Sequence, residues 1–183
     1  MVSKLGRLKR HASHLEWSRL RNTLRDLFAP SLAKRLDIHL AVYDKPRSMW
    51  THAHSRGFVT WDGIEILNMA DAIEGQTFHA ELRRLRGLPP GPRIPYTDEE
   101  ETLLVALLRS RGIYSGLEFH GALQDYVHCS LTDNLTSGND IRRAFCMVDR
   151  RTGKRRLSQV DPDNEPPLVA KFYRLRVDAD SEH

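Results

Sequence analysis

The sequence predicts an α+β fold, a small antiparallel sheet with helices packed on one face. Three observations carry that expectation. Ser13–Glu16, Thr97–Glu100 and Ser115–Glu118 are capping boxes, in which a hydroxyl and a glutamate three residues on satisfy orphan helix amides reciprocally. Between the first two boxes the apolar period changes from helical to alternating. Inside that alternating stretch lies Asp62-Gly63, the strongest short hairpin signal, because a type I′ turn needs φ > 0 at both central residues.

Each element follows in order. The first box opens a helix with Trp17, Leu20, Leu24, Leu27 and Phe28 as its apolar stripe, ended by Pro30. "LDIHLAVYD", Leu36 to Asp44, reads as a strand, and "FVTWDGIEIL", Phe58 to Leu67, as two strands joined at Asp62-Gly63. Residues 70–87 read as a helix burying Phe78, Leu82 and Leu85. "GLPPGPRIP", Gly87 to Pro95, is a stiff linker and the one plausible internal boundary. The second box opens a helix with Leu103, Leu104, Leu107 and Leu108 inside and Gly112 as its stop. The third opens one carrying Phe119, Leu123, Tyr126 and Val127. Ile141, Phe145 and Val148 share a helical face, with Asn139 or Asp140 as cap and Gly153 as end. A hairpin around Gly153 competes with that helix. "EPPLVAKFYRLRV" reads as a last helix starting near Pro166. The organisation is a basic N-terminal arm (1–12), one α+β domain (13–177) and an acidic tail (178–183).

Composition narrows the classes. Hydrophobic residues make up 40% of the chain and charged residues 28%, as in folded globular domains. No apolar run has the length of a membrane span, so no membrane partner is expected. The N-terminal MVSKLGRLKRHA is basic without an apolar core, unlike a secretory signal. Cys129 and Cys146 are too few for a disulfide framework, which makes the cytoplasm the expected compartment.

The net charge of +4 is unevenly spread. Lys4, Arg7, Lys9, Arg10, Arg19, Arg21 and Arg25 face only Glu16 in residues 1–25. Arg142, Arg143, Arg150, Arg151, Lys154, Arg155 and Arg156 face only Asp149 in residues 141–157. Residues 158–183 reverse the sign. Two basic segments can form one anion-binding face, or the acidic tail can fold back and neutralise the second.

Four stretches, "EWSRLRNTLRDLFAPSLAKRLDIHLAVYD", "RGFVTWDGIEILNM", "GIYSGLEFHGALQDYVHCS" and "FCMVDRRTGKRRL", resemble in this order a family of small bacterial proteins with no assigned reaction. Its members open with Trp-Ser-Lys-Leu, carry an aromatic strand followed by an acidic turn, and later carry an Asp-Arg-Arg-x-Gly-Lys-Arg-Arg-Leu element. Arg19 stands here where the family has Lys. The resemblance spans Glu16 to Val177 and is weakest from Ala70 to Pro95. It implies a bacterial, soluble, single-domain protein and no particular chemistry.

The candidate site is Asp149, Arg150, Arg151, Lys154, Arg155 and Arg156, an anion-binding segment in which Asp149 orients one guanidinium through a bidentate pair. The competing reading places Arg150 and Arg151 in the last helical turn, where the macrodipole favours cations, and pairs the rest with Asp161, Asp163 and Glu165. His52, His54, His120 and His128, with Cys129, lack the spacing of a zinc site, so no metal or cofactor is expected. His39, Tyr43, Arg56, Trp61 and Glu65 read as cross-strand packing on a sheet with one solvated face. No Walker loop, Rossmann fingerprint or nucleophile elbow is present, and no catalytic residue is assigned. The expected function is a non-enzymatic binding module for nucleic acid or an acidic protein face. The alternative is a metal-dependent hydrolase or nuclease using Asp149 or Asp62 with the histidines.

Overall fold

The computed structural model describes residues 4–43 and 54–182; within the first helix, side chains are described from Glu16 onward. The chain is α+β. Helix α1 (Lys4–Leu27) leads into strands β1 (Leu36–Tyr43), β2 (His54–Trp61) and β3 (Ile64–Ala70), and these into α2 (Asp71–Leu85) and α3 (Asp98–Ser110). Next come α4 (Gly116–His128), the short α5 (Leu131–Leu135), α6 (Asp140–Val148), a single turn α7 (Lys154–Leu157) and α8 (Pro167–Ser181).

The sheet is an antiparallel meander in the order β1-β2-β3. Ile38 pairs with Val59 and Val59 with Leu67, which puts their side chains on one face with Leu36 and Met69. Asp62 and Gly63 have φ of 50° and 80°, as a type I′ turn requires. The helices cover the Val59 face. A Cβ added to Gly57 would lie 2.1 Å from the Phe119 ring of α4, so only glycine admits that helix this close to β2.

Capping residues act where their spacing places them. Thr97 and Glu100 form a complete capping box on α3, and Gly112, at φ 72°, follows its end. Ser115 accepts from Glu118 N on α4, and Asn139 Oδ1 accepts from Ile141 N and Arg142 N on α6. The first box does not act so. α1 already begins at Lys4, which leaves Ser13 inside the helix, and it ends at Leu27, before Pro30. At the other end, Asp178 to Ser181 continue α8.

The main core joins α1, the sheet, α4, α6 and α8 around Leu24, Ile38, Val59, Phe119, Phe145 and Phe172. Phe78, Leu82, Leu104 and Leu108 form a satellite between α2 and α3, so the Pro-rich linker connects two helices of one hydrophobic cluster. Leu85 and Leu103, expected inside, are exposed. The satellite is one layer thick and reaches only the residues on the facing stripe of each helix.

Candidate functional site

The segment that bears the cations starts from a buried carboxylate. α6 ends at Val148, not at Gly153, because the chain there leaves helical geometry to bridge the end of α1. Phe28 and Asp149 form an antiparallel bridge, with Ala29 N donating to Val148 O (2.9 Å) and Arg150 N to Leu27 O (2.8 Å). Arg150 and Arg151 therefore do not occupy a last helical turn. Asp149 is 1% exposed. Its Oδ2 accepts from Tyr126 Oη at 2.6 Å and from Arg151 Nη2 at 2.7 Å; its Oδ1 accepts from Arg151 N at 2.7 Å. A carboxylate withdrawn from water is tolerable only when its lone pairs are satisfied in this way. The bidentate pair holds the Arg151 guanidinium above its ordinary pKa, and burial pushes the Tyr126 phenol up. Burial also pushes the Cys146 thiol up to about 12, which leaves it a thiol and a poor nucleophile.

α8 closes the base of the site. Arg176, 6% exposed, donates through Nη1 to Asp149 O (3.3 Å) and through Nε to Asp180 Oδ2 (2.8 Å), and Ser31 donates to the other oxygen of Asp180. Burial raises the Asp180 pKa, but the hydrogen bonds from Ser31 and Arg176 and the field of Lys154 outweigh it and hold the group below its usual value. Tyr126, Arg176, Asp180 and Ser31 are absent from the sequence-derived site. Only the four-residue spacing of Arg176 and Asp180 signalled a pair.

Above this base, Gly153 precedes α7, whose buried Leu157 turns Lys154, Arg155 and Arg156 outward. Arg150 is exposed as well. The expected neutralising acids are engaged elsewhere: Glu165 pairs with Arg143, Asp163 with Arg174 (2.9 Å), and Asp161 accepts from Asn164 (2.7 Å). Among the described residues, the side chains of Arg150, Arg155 and Arg156 have no ion-pair partner.

The remaining constellations separate. His39, Arg56 and Glu65 share the open face of the sheet, where His39 stacks on Phe58 and Arg56 pairs with Glu65, while Trp61 belongs to the opposite alternation and lies under Arg35 (4.2 Å). Asp62 is held by Arg35 at 2.9 Å. His128 is exposed, and His120 is packed edge-on against Trp17. His52 lies outside the described residues, as does the side chain of His54. Among the described residues, no three His, Cys, Asp or Glu side chains converge to hold a metal ion.

A model of the SF0329 protein family matches residues 16–177. The chain belongs to that family. Nothing among curated proteins or solved structures matches it. The span shared with the SF0329 family takes in Asp149, Arg151 and Arg176, all the cations above them and the whole sheet, and it leaves out Asp180 and the residues before Glu16.

The same span holds a cleft of about 760 Å³ between α2, α3, α4 and the sheet, lined by Val42, Phe78 and Leu117 among others. His79 Nδ1 and His120 Nε2 are shut off from water there with no hydrogen-bond partner among the described residues. Burial lowers both imidazole pKa values, so both rings are neutral in the fold and protonate more readily once unfolded. The unfolded chain thus binds more protons below pH 6.5, the ordinary value. Their contribution to stability is complete above that pH and is lost as pH falls through the depressed folded values. The expected result is a Tm that declines on mild acidification, measured by circular dichroism, and declines less in His79→Phe. A Tm that stays flat down to the carboxylate range would refute it.

Proposed function

We propose that this SF0329 family member is a non-enzymatic binding module for an anionic partner, nucleic acid foremost. Arg150, Lys154, Arg155 and Arg156 make the phosphate contacts, and Asp149 with Arg151 forms their fixed base. One observation carries the reading: Arg150, Arg155 and Arg156, without an ion-pair partner among the described residues, sit on a base whose backbone is tied to α1 and α8. Unpaired guanidinium groups on a pre-ordered loop bind phosphate without first breaking internal ion pairs or losing loop entropy. A bacterial, cytoplasmic setting belongs to the same reading, supported by two cysteines that are both free.

Binding of labelled single- and double-stranded DNA and RNA, measured across salt concentration, tests it. Wild type is expected to bind with a steep salt dependence. Arg150→Ala/Lys154→Ala/Arg155→Ala is expected to flatten the slope by about 3, close to one unit for each lost phosphate contact. Arg151 stays in place in that variant because it holds Asp149. Wild type that binds no nucleic acid, or a variant that binds as wild type does, sinks the reading and turns the search to acidic proteins.

A further inference from the structure

The open face of the sheet carries an aromatic pair. Phe58, at the middle of the central strand, points away from the core and is only partly buried. His39 lies flat on it, with ring centroids 4.5 Å apart and 9° between planes, and the Arg56 guanidinium sits 4.7 Å from the Phe58 centroid. A solvated sheet face ordinarily presents polar residues at such positions.

These rings do not stand alone. Trp17, Arg21 and Asn22 of α1 face His39 and Phe58 across a concavity of about 480 Å³. Asn22 also walls a second concavity of about 370 Å³, lined by Arg25, Phe28 and Lys34. Phe28 is the residue bridged to Asp149, and the next carbonyl back, Leu27 O, accepts from Arg150 N. The two concavities thus share Asn22, and the second is lined by the residue bridged to the basic segment. Arg21 walls the first concavity, Arg25 and Lys34 the second, and Arg150 follows the bridged residue Asp149. Asp37 is already held by Arg21 and Arg25, Glu65 on the open face is held by Arg56, and Asp26 lines the second concavity.

Lys34 supplies a separate observation. Its φ is 106°, in the region that favours glycine and penalises a side chain. Retaining a lysine there costs stability, and such strain collects at functional positions. This strained residue lines the second concavity.

We infer that the sheet's open face and the α1 groove form a binding track for single-stranded nucleic acid. Bases stack on His39, whose ring Phe58 backs, and on Trp17, and the backbone runs along Arg25, Lys34 and Arg150. The inference rests on the reading of the basic segment as a phosphate contact and extends it by naming the strand. A duplex keeps its bases stacked on one another and has none to offer the rings, whereas every unpaired base has a free π-face.

The test compares the full chain's affinity for a labelled single strand and for the duplex made from it, using Phe58→Thr, Lys34→Gly and the Arg150→Ala/Lys154→Ala/Arg155→Ala variant. Wild type is expected to prefer the single strand by roughly tenfold, and Phe58→Thr to lose roughly that factor for the single strand with an unchanged salt slope. Lys34→Gly is expected to raise the Tm, since glycine accepts the φ, and yet to weaken single-strand binding and reduce the salt slope by about 1. A purely structural Lys34 would give a stabler protein with undiminished affinity, so this variant remains decisive if Phe58→Thr folds poorly. Equal affinity for both forms, with Phe58→Thr and Lys34→Gly binding as wild type, overturns the track. If the triple variant then abolishes that binding, the basic segment survives as a phosphate contact without it. Absence of any binding overturns both.

Discussion

Phe145→Ala is expected to lower the stability of the fold by about 4 kcal/mol, the range for a large aromatic removed from a packed core. Phe145 is 2% exposed and stands where three helices meet. Its ring centroid lies 5.5 Å from Phe172 of α8, 6.1 Å from Tyr126 of α4 and 6.2 Å from Phe119 of α4. Those neighbours are themselves buried, so they cannot close the space without moving whole helices. In a domain of this size the loss corresponds to a Tm lower by roughly 10 °C. Equilibrium denaturation measures it, with Phe145→Leu as the comparison, expected to cost under about 1.5 kcal/mol because most of the volume is kept. A loss below about 1 kcal/mol for the alanine variant would mean that α6 is not the centre of the main core.

The elements that sequence made legible are those whose signals are local. The Asp62-Gly63 turn, the Thr97 and Ser115 caps and the alternation of β1 each depend on a few adjacent residues, and each stands where its pattern puts it. The misplaced boundaries have non-local or competing causes. α6 stops at Val148 because Asp149 pairs with Phe28, 121 residues earlier in the chain (149 − 28). Ser13 fails as a cap because the preceding residues are themselves helical, and a helix that has begun needs no second start.

The candidate site divides in the same way. Its cations were visible as composition, and so was the pairing of Asp149 with a guanidinium. Whether the acids after residue 158 would neutralise those cations depended on how α8 packs. That packing sends Glu165 to Arg143 and Asp163 to Arg174. The open-face pair of His39 and Phe58 was legible only in part: alternation put His39 on a solvated face, but its partner Phe58 is set by the register of β1 against β2, a pairing of residues distant in the chain.

Asp149→Ala is expected to cost about 3 kcal/mol, through lost hydrogen bonds to a charged acceptor worth about 1.5–3 kcal/mol each, reduced by release of the buried charge's own desolvation penalty. The substitution leaves the Tyr126 hydroxyl buried without its acceptor and frees both the Arg151 guanidinium and the Arg151 amide. Tyr126→Phe, which removes one donor and leaves Arg151 in place, is expected to cost about 1 kcal/mol. If the two groups act as one unit, the double variant costs less than the sum of the singles by at least about 0.5 kcal/mol. Additive losses would show that they are independent.

The same substitution separates structure from function. None of Arg150, Lys154, Arg155 or Arg156 is altered by it, yet the loop that carries them loses the side-chain bonds that fix its turn. Anion affinity of the folded protein should therefore fall along with stability, mainly through faster dissociation, since the net positive charge that steers encounter is preserved or increased. Asp149→Asn divides the cause further. An amide oxygen can still accept from Tyr126 or from Arg151 N, but it has no charge to hold the guanidinium. Retained affinity in the asparagine variant would mean that the turn alone presents the cations. Affinity lost equally in both variants would mean that the ion pair itself keeps the segment in its binding shape.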